Sequence, residues 1–78
     1  MPTILKIGGF RFHFYSDEAK EPPHIHVEFG EGECKFWLWP IRLARNRGIA
    51  PHVIRQIERL VFENHALLME KYNEFHKR

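Results

Sequence analysis

The chain has 78 residues with a formal net charge of +2, 44% of them hydrophobic and 28% charged, and it carries one cysteine and six histidines. That length predicts a single domain over residues 1–78 with a thin core, because so small a chain removes only roughly 60% of its extended surface from water, and a partner would help to stabilise it. Seven Phe, two Trp and two Tyr exclude a disordered polar tail, and a lone Cys34 excludes an internal disulfide. No apolar run approaches the ~20 residues that cross a bilayer, and MPTILKIGG lacks the apolar stretch of a signal peptide. The expected location is the cytoplasm.

Residues 3–7 (TILKI) and 10–15 (FRFHFY) flank Gly8-Gly9, a pair suited to the positive φ of a tight hairpin turn. Pairing Ile7 with Phe10 sets Leu5 opposite Phe12 and Thr3 opposite Phe14 on an apolar face, leaving Lys6, Arg11 and His13 on the other. A loop is expected from Ser16 to Pro23, whose acids and prolines do not suit a central strand. The runs HIHVEF and CKFWLW, joined through GEGE, predict a second hairpin. A turn at Glu31-Gly32 would pair Phe29 with Cys34, Val27 with Phe36 and Ile25 with Leu38 on the apolar side. It would pair Glu28 with Lys35, His26 with Trp37 and His24 with Trp39 on the opposite side. Pro40 ends this strand, and Ile41 to Ala44 reads as a short strand before a turn at Gly48.

Pro51 suits the first turn of a helix, and nothing after it breaks one. Ile54, Ile57, Val61, Leu68, Tyr72 and Phe75 fall on one stripe of a long C-terminal helix, with the amide of Asn64 among them. Leu60 and Leu67 widen the stripe on one flank, Phe62 and Met69 on the other. The expected fold is therefore α+β: about four antiparallel strands in two hairpins, with one long helix on one face. The width of the apolar arc points to an oligomer or heteromer interface as well as a core.

Charge is unevenly placed. Residues 1–39 hold four Lys or Arg against six Asp or Glu, and residues 40–78 hold eight against four. Arg42, Arg45, Arg47, Arg55 and Arg59 form a basic patch suited to phosphates or an acidic protein. The plainer reading is a solvated rim with intrahelical pairs such as Arg59 with Glu63.

The sheet face away from the helix is the expected binding surface, carrying Arg11, His13, Tyr15, His24, His26, Glu28, Lys35, Trp37 and Trp39. A structural reading has residues 41–50 or a second subunit covering it, with His24 and His26 stacked on the tryptophans. A chemical reading makes His24 and His26 the acid and base of phosphodiester cleavage, with Lys35 or Arg11 holding phosphate, since imidazoles exchange protons near neutrality. No cofactor is called for. Were a metal to bind, His24 and His26, two apart on a strand, would supply two ligands and His13 or Glu28 a third. Cys34 falls on the apolar face as a small core residue, His52 and His76 at solvated helix ends, and His65 beside the apolar stripe.

PTILKIGGFRFHFYS, EPPHIHV, GEGECKFWLWP and RNRGIAP, in that order, resemble the small prokaryotic domain-of-unknown-function family 4160 over nearly the whole chain. On that resemblance Glu21, Pro22, Pro23, His24 and His26 are the signature loop and strand, and Phe36, Trp37 and Leu38 the strand that follows. Ala50 stands where a capping Ser or Asn would be expected. The resemblance implies an accessory or toxin–antitoxin-like component acting beside another small protein. The expected function is thus a cytoplasmic protein-binding module, working with a protein partner or as a homo-oligomer. The alternatives are a histidine-dependent RNA hydrolase and a DNA-binding regulator acting through Arg42 to Arg59.

Overall fold

The computed structural model describes residues 3–15 and 20–76. Five strands, β1 (Thr3–Ile7), β2 (Phe10–His13), β3 (His24–Phe29), β4 (Gly32–Leu38) and β5 (Ile41–Arg47), precede two helices, α1 (Pro51–Glu63) and α2 (His65–Phe75). The strands form one antiparallel sheet in chain order, each beside its sequence neighbour. The fold is α+β as expected, with one more strand and one more helix.

Gly8 takes φ 57° in the first turn, and Ile7, Lys6 and Leu5 pair with Phe10, Arg11 and Phe12 in the expected register. An irregularity between Thr3 and Leu5 then places Thr3 opposite His13 instead of Phe14. Phe14 lies beyond the end of β2 yet is fully buried. Residues 16–19 of the expected Ser16 to Pro23 loop lie outside the described residues.

The second hairpin turns at Gly30-Glu31, two pairing positions from the expected register. Phe29 pairs with Gly32, Val27 with Cys34, Ile25 with Phe36, and on the other face Glu28 with Glu33, His26 with Lys35 and His24 with Trp37. Two local features set this. Gly30 adopts φ 60°, which a turn requires and glycine takes without strain. Gly32 is instead a strand residue, against whose backbone Ile49 and Gly48 pack so closely that a Cβ would lie 2.7 Å from the Ile49 side chain and 2.8 Å from the Gly48 carbonyl oxygen. Because side chains alternate with period two, a slip of two leaves every residue on its expected face.

The segment after Trp39-Pro40 forms a full edge strand to Arg47, longer than the expected Ile41 to Ala44 and hydrogen-bonded beside β4, so it does not lie across the sheet. A bulge at Ala44 follows from Lys35 pairing with Arg45 while Phe36 pairs with Leu43. Asn46 closes the next turn reciprocally: its Nδ2 donates to the Ile49 carbonyl at 2.8 Å and its Oδ1 accepts from the Ile49 amide at 3.1 Å. Gly48 takes φ 84° there.

Ala50 precedes α1 in an extended conformation without a side-chain cap, and Pro51 opens the helix. The expected single helix divides at Asn64, whose φ of −112° and ψ of 20° leave the helical region. Its Nδ2 donates to the Leu60 carbonyl at 2.8 Å, and its backbone amide also donates there. A side chain that bonds local backbone in this way competes with regular helix. α1 lies against β4 and β5, and α2 against β3 and β4. Ile54, Ile57, Val61, Leu68 and Tyr72 join Phe12, Phe14, Ile25, Val27, Cys34, Phe36 and Leu38 in one core. Leu5, Ile7 and Phe10 sit only at its margin. Among the described residues no helix is long and apolar enough to cross a membrane.

Candidate functional site

Alternation along β2, β3 and β4 puts His13, His24, His26, Glu28, Glu33, Lys35 and Trp37 on the face opposite the helices. Tyr15 lies just beyond β2, and Arg42, Arg45 and Arg47 of β5 pair with Trp37, Lys35 and Glu33. Although the helices pack on the other face, His13, His24, His26 and Lys35 are 4%, 1%, 2% and 8% exposed. Their neighbours on the face bury them, and His24 also meets the Tyr72 ring of α2 at 6.0 Å. His26 lies 4.3 Å from the Tyr15 ring, 5.7 Å from His13 in a stacked arrangement and 5.2 Å from His24, edge to face. His24 also meets Trp37 at 5.9 Å.

Glu33 is the hub of the polar network. Its Oε2 accepts from the Tyr15 hydroxyl at 2.7 Å and lies 3.4 Å from His26 Nδ1 and 3.6 Å from His13 Nε2. Its Oε1 pairs with Arg47 at 3.2 Å. Glu28 divides in the same way, Oε1 to Arg11 at 2.5 Å and Oε2 toward His13 at 3.9 Å. Lys35 donates to Glu21 Oε1 and lies 4.7 Å over the Trp37 ring. Glu21 and Glu33 were absent from the expected surface. Glu33 shares the parity of Lys35 and Trp37, so alternation alone pointed to it. Glu21 reaches the site through its loop, for which no periodicity exists.

Three expectations about this surface need correction. Trp39 does not belong to it: β4 ends at Leu38, and Trp39 is 74% exposed, 6.2 Å from the His65 ring. The stacking of His26 on Trp37 and of His24 on Trp39 gives way to His26 opposite Lys35 and His24 opposite Trp37. The basic patch is divided, since Arg42, Arg45 and Arg47 lie on β5 beside the histidine face, whereas Arg55 and Arg59 lie on α1 at a groove lined also by Ile7 and Phe10. Arg59 and Glu63 form no ion pair among the described residues, although Arg47 finds Glu33 and Arg11 finds Glu28.

Burial also bears on the chemistry. His24 Nδ1 donates to the Pro22 carbonyl at 2.9 Å, and both His24 and His26 are enclosed, so neither presents an imidazole at the surface for a scissile phosphate. Lys35 is already paired with Glu21. Among the described residues, the side chains whose ligand atoms converge, all within 4.8 Å of one another, are His13, Glu28 and Glu33, which does not include the expected pair of His24 and His26. Cys34 is buried as expected, and desolvation, with a smaller contribution from the charge on Glu33, pushes its thiol from 9.0 up to about 12. That leaves no nucleophilic thiolate at neutral pH. His52 is exposed as expected, and His65, half-buried, ties the start of α2 to β4 by donating from Nε2 to the Leu38 carbonyl at 2.6 Å. His76 is not a solvated end, because its ring packs 4.4 Å from Tyr72 and 5.1 Å from Phe75.

Two apolar features flank α1 on opposite sides. A groove of about 540 Å³ between α1 and the β1–β2 hairpin is floored by Ile7, Phe10 and Leu60 and edged by His52, Arg55 and Arg59. A second hollow of about 420 Å³ is formed by Trp39, Pro40, Ile41, Phe62 and His65, with Phe62 59% exposed.

No curated protein and no solved structure matches the chain significantly. Residues 9–73, from the first turn through nearly all of α2, match the family model described as Domain of unknown function (DUF4160). The hairpin of histidines and tryptophan, the β4–β5 pair, α1 and all but the last two residues of α2 fall within that match, and the chain belongs to this family.

Proposed function

We propose that the protein is a small protein-binding module, acting with another small protein as an accessory or toxin–antitoxin-like component. The observation that carries this reading is the pair of exposed aromatics at the α1–α2 corner, Trp39 and Phe62, which together with Pro40, Ile41 and His65 make one apolar hollow. Large apolar side chains exposed together on a small protein are characteristic of interaction sites. Tryptophan in particular anchors interfaces, because its ring excludes much water while its indole N–H keeps a partner.

The enclosed imidazoles of His24 and His26 weigh against the hydrolase reading, and the division of the arginines between β5 and α1 weighs against a single DNA-reading patch.

The test is affinity purification of tagged protein from the cells that encode it, comparing the natural chain with a Trp39→Ser/Phe62→Ser variant and an Arg42→Gln/Arg45→Gln/Arg47→Gln variant. One polypeptide retained stoichiometrically by the natural chain and by the arginine variant, and lost by the aromatic variant, supports the reading. Equal retention by the aromatic variant, or nucleic acid as the sole co-purifying material, overturns it.

A further inference from the structure

We propose that His13, Glu28 and Glu33 form a binding site for one divalent cation, with Zn²⁺ as the ion that their chemistry favours. Each residue comes from a different neighbouring strand, β2, β3 and β4, on the face opposite the helices. Glu28 and Glu33 are paired directly across β3 and β4, an arrangement in which like charges repel unless a cation lies between or beside them.

The two carboxylates divide their oxygens alike. Each Oε1 meets an arginine, Arg11 for Glu28 and Arg47 for Glu33, and each Oε2 turns toward His13 Nε2. The His13 side chain is 6% exposed, and among the described residues its Nε2 has no hydrogen-bond partner. A buried polar nitrogen without a partner is costly and uncommon. The facing carboxylate oxygens, at 3.6 and 3.9 Å, are too far to accept a hydrogen bond from it.

Those separations instead suit a shared ion. Zn²⁺ binds imidazole nitrogen and carboxylate oxygen at about 2.0–2.2 Å, which sets tetrahedral ligand atoms about 3.4 Å apart. The two nitrogen–oxygen separations need close by only about 0.2–0.5 Å, and the widest separation in the set, within 4.8 Å, by up to about 1.4 Å, which rotation of the partly exposed Glu28 carboxylate can supply. One nitrogen with two carboxylates favours Zn²⁺ over Mg²⁺ or Ca²⁺, which prefer oxygen donors throughout. The Tyr15 hydroxyl, Arg11 and Arg47 would act as outer partners that hold the carboxylates in place. The arginines do not prohibit the ion, because their side chains are 49% and 79% exposed and their charge is screened by water.

The experiment titrates ZnCl₂ alone into the chelator-treated full chain, followed by calorimetry and by the imidazole ¹⁵N resonances. Saturable binding of one Zn²⁺ per chain is expected, moving the His13 Nε2 resonance. Glu28→Gln, at a partly exposed position, should weaken binding about 10-fold and His13→Asn about 100-fold, while His52→Ala leaves it within about threefold. Should His13→Asn fail to fold, Glu28→Gln and the natural chain's resonances decide. Absence of saturable binding overturns the site, as does affinity unchanged in Glu28→Gln, or a shift at His52 or His65 with none at His13. None of these outcomes depends on Trp39 or Phe62, so the cation site and the protein-binding reading stand or fall separately.

Discussion

Gly32 and Cys34, two residues apart on β4, show how tightly the thin core is specified. A methyl at Gly32 would meet the Ile49 side chain at 2.7 Å and the backbone carbonyl of Gly48 at 2.8 Å, and the backbone cannot yield by rotating a side chain. Gly32→Ala is therefore expected to destabilise the fold by about 1–3 kcal/mol, read by urea denaturation. Cys34 faces the same core with its thiol pushed up to about 12. A folded-state value above the unfolded one favours the protonated folded form, so its contribution is complete below pH 9 and is lost as pH rises toward 12. Denaturation between pH 7 and pH 10.5 should show stability falling above pH 9 more steeply than in Cys34→Ala. The excess slope should stay under about 1.4 kcal/mol per pH unit, the limit for one group.

At the scale of elements, the strands and the helix start at Pro51 were legible, and the division of the helix was not fully so. β2, β3 and β4 follow the alternation of Phe12, Ile25, Val27, Cys34, Phe36 and Leu38, all buried. β5 carries Arg42, Arg45 and Arg47 on one face, exposed at the sheet edge, and with its bulge at Ala44 this discourages edge-to-edge pairing with another chain. The break at Asn64 was legible only in part, as an amide on the apolar stripe that needed a partner. Its partner is the Leu60 carbonyl one turn back, a local bond that periodicity does not register. α1 begins at an uncapped Ala50 whose φ of −65° and ψ of 148° already suit a cap, with no acid in the first turn. Ala50→Asp should stabilise the protein by about 1 kcal/mol in chemical denaturation, by accepting from a first-turn amide and complementing the helix dipole.

Across the whole molecule, the radius of gyration of 11.5 Å is that of a compact chain of this length, so Trp39 and Phe62 are exposed on a well-packed body and not through a loose fold. A partner seated on the hollow between them would bury a tryptophan at the centre of its contact. Removing such an anchor costs about 2 kcal/mol or more, so Trp39→Ser should weaken the complex at least about 30-fold while leaving the circular dichroism spectrum unchanged. The arginines of β5, at the opposite sheet face, should matter far less.

The amino-acid pattern by itself determined which residues share a face. Period two is insensitive to a slip of two, and so the histidines, Glu28, Lys35 and Trp37 were grouped correctly although the hairpin register was displaced. It could not determine who meets whom. That depended on Gly30 entering the turn while Gly32 was held against Ile49, which set Glu33 opposite Glu28 and brought both beside His13. Nor could alternation be continued past Leu38, where β4 ends and Trp39 turns to the helix corner. Faces follow from local backbone geometry, whereas a site built across three strands follows from their registers, and those are decided by packing between residues far apart in the chain.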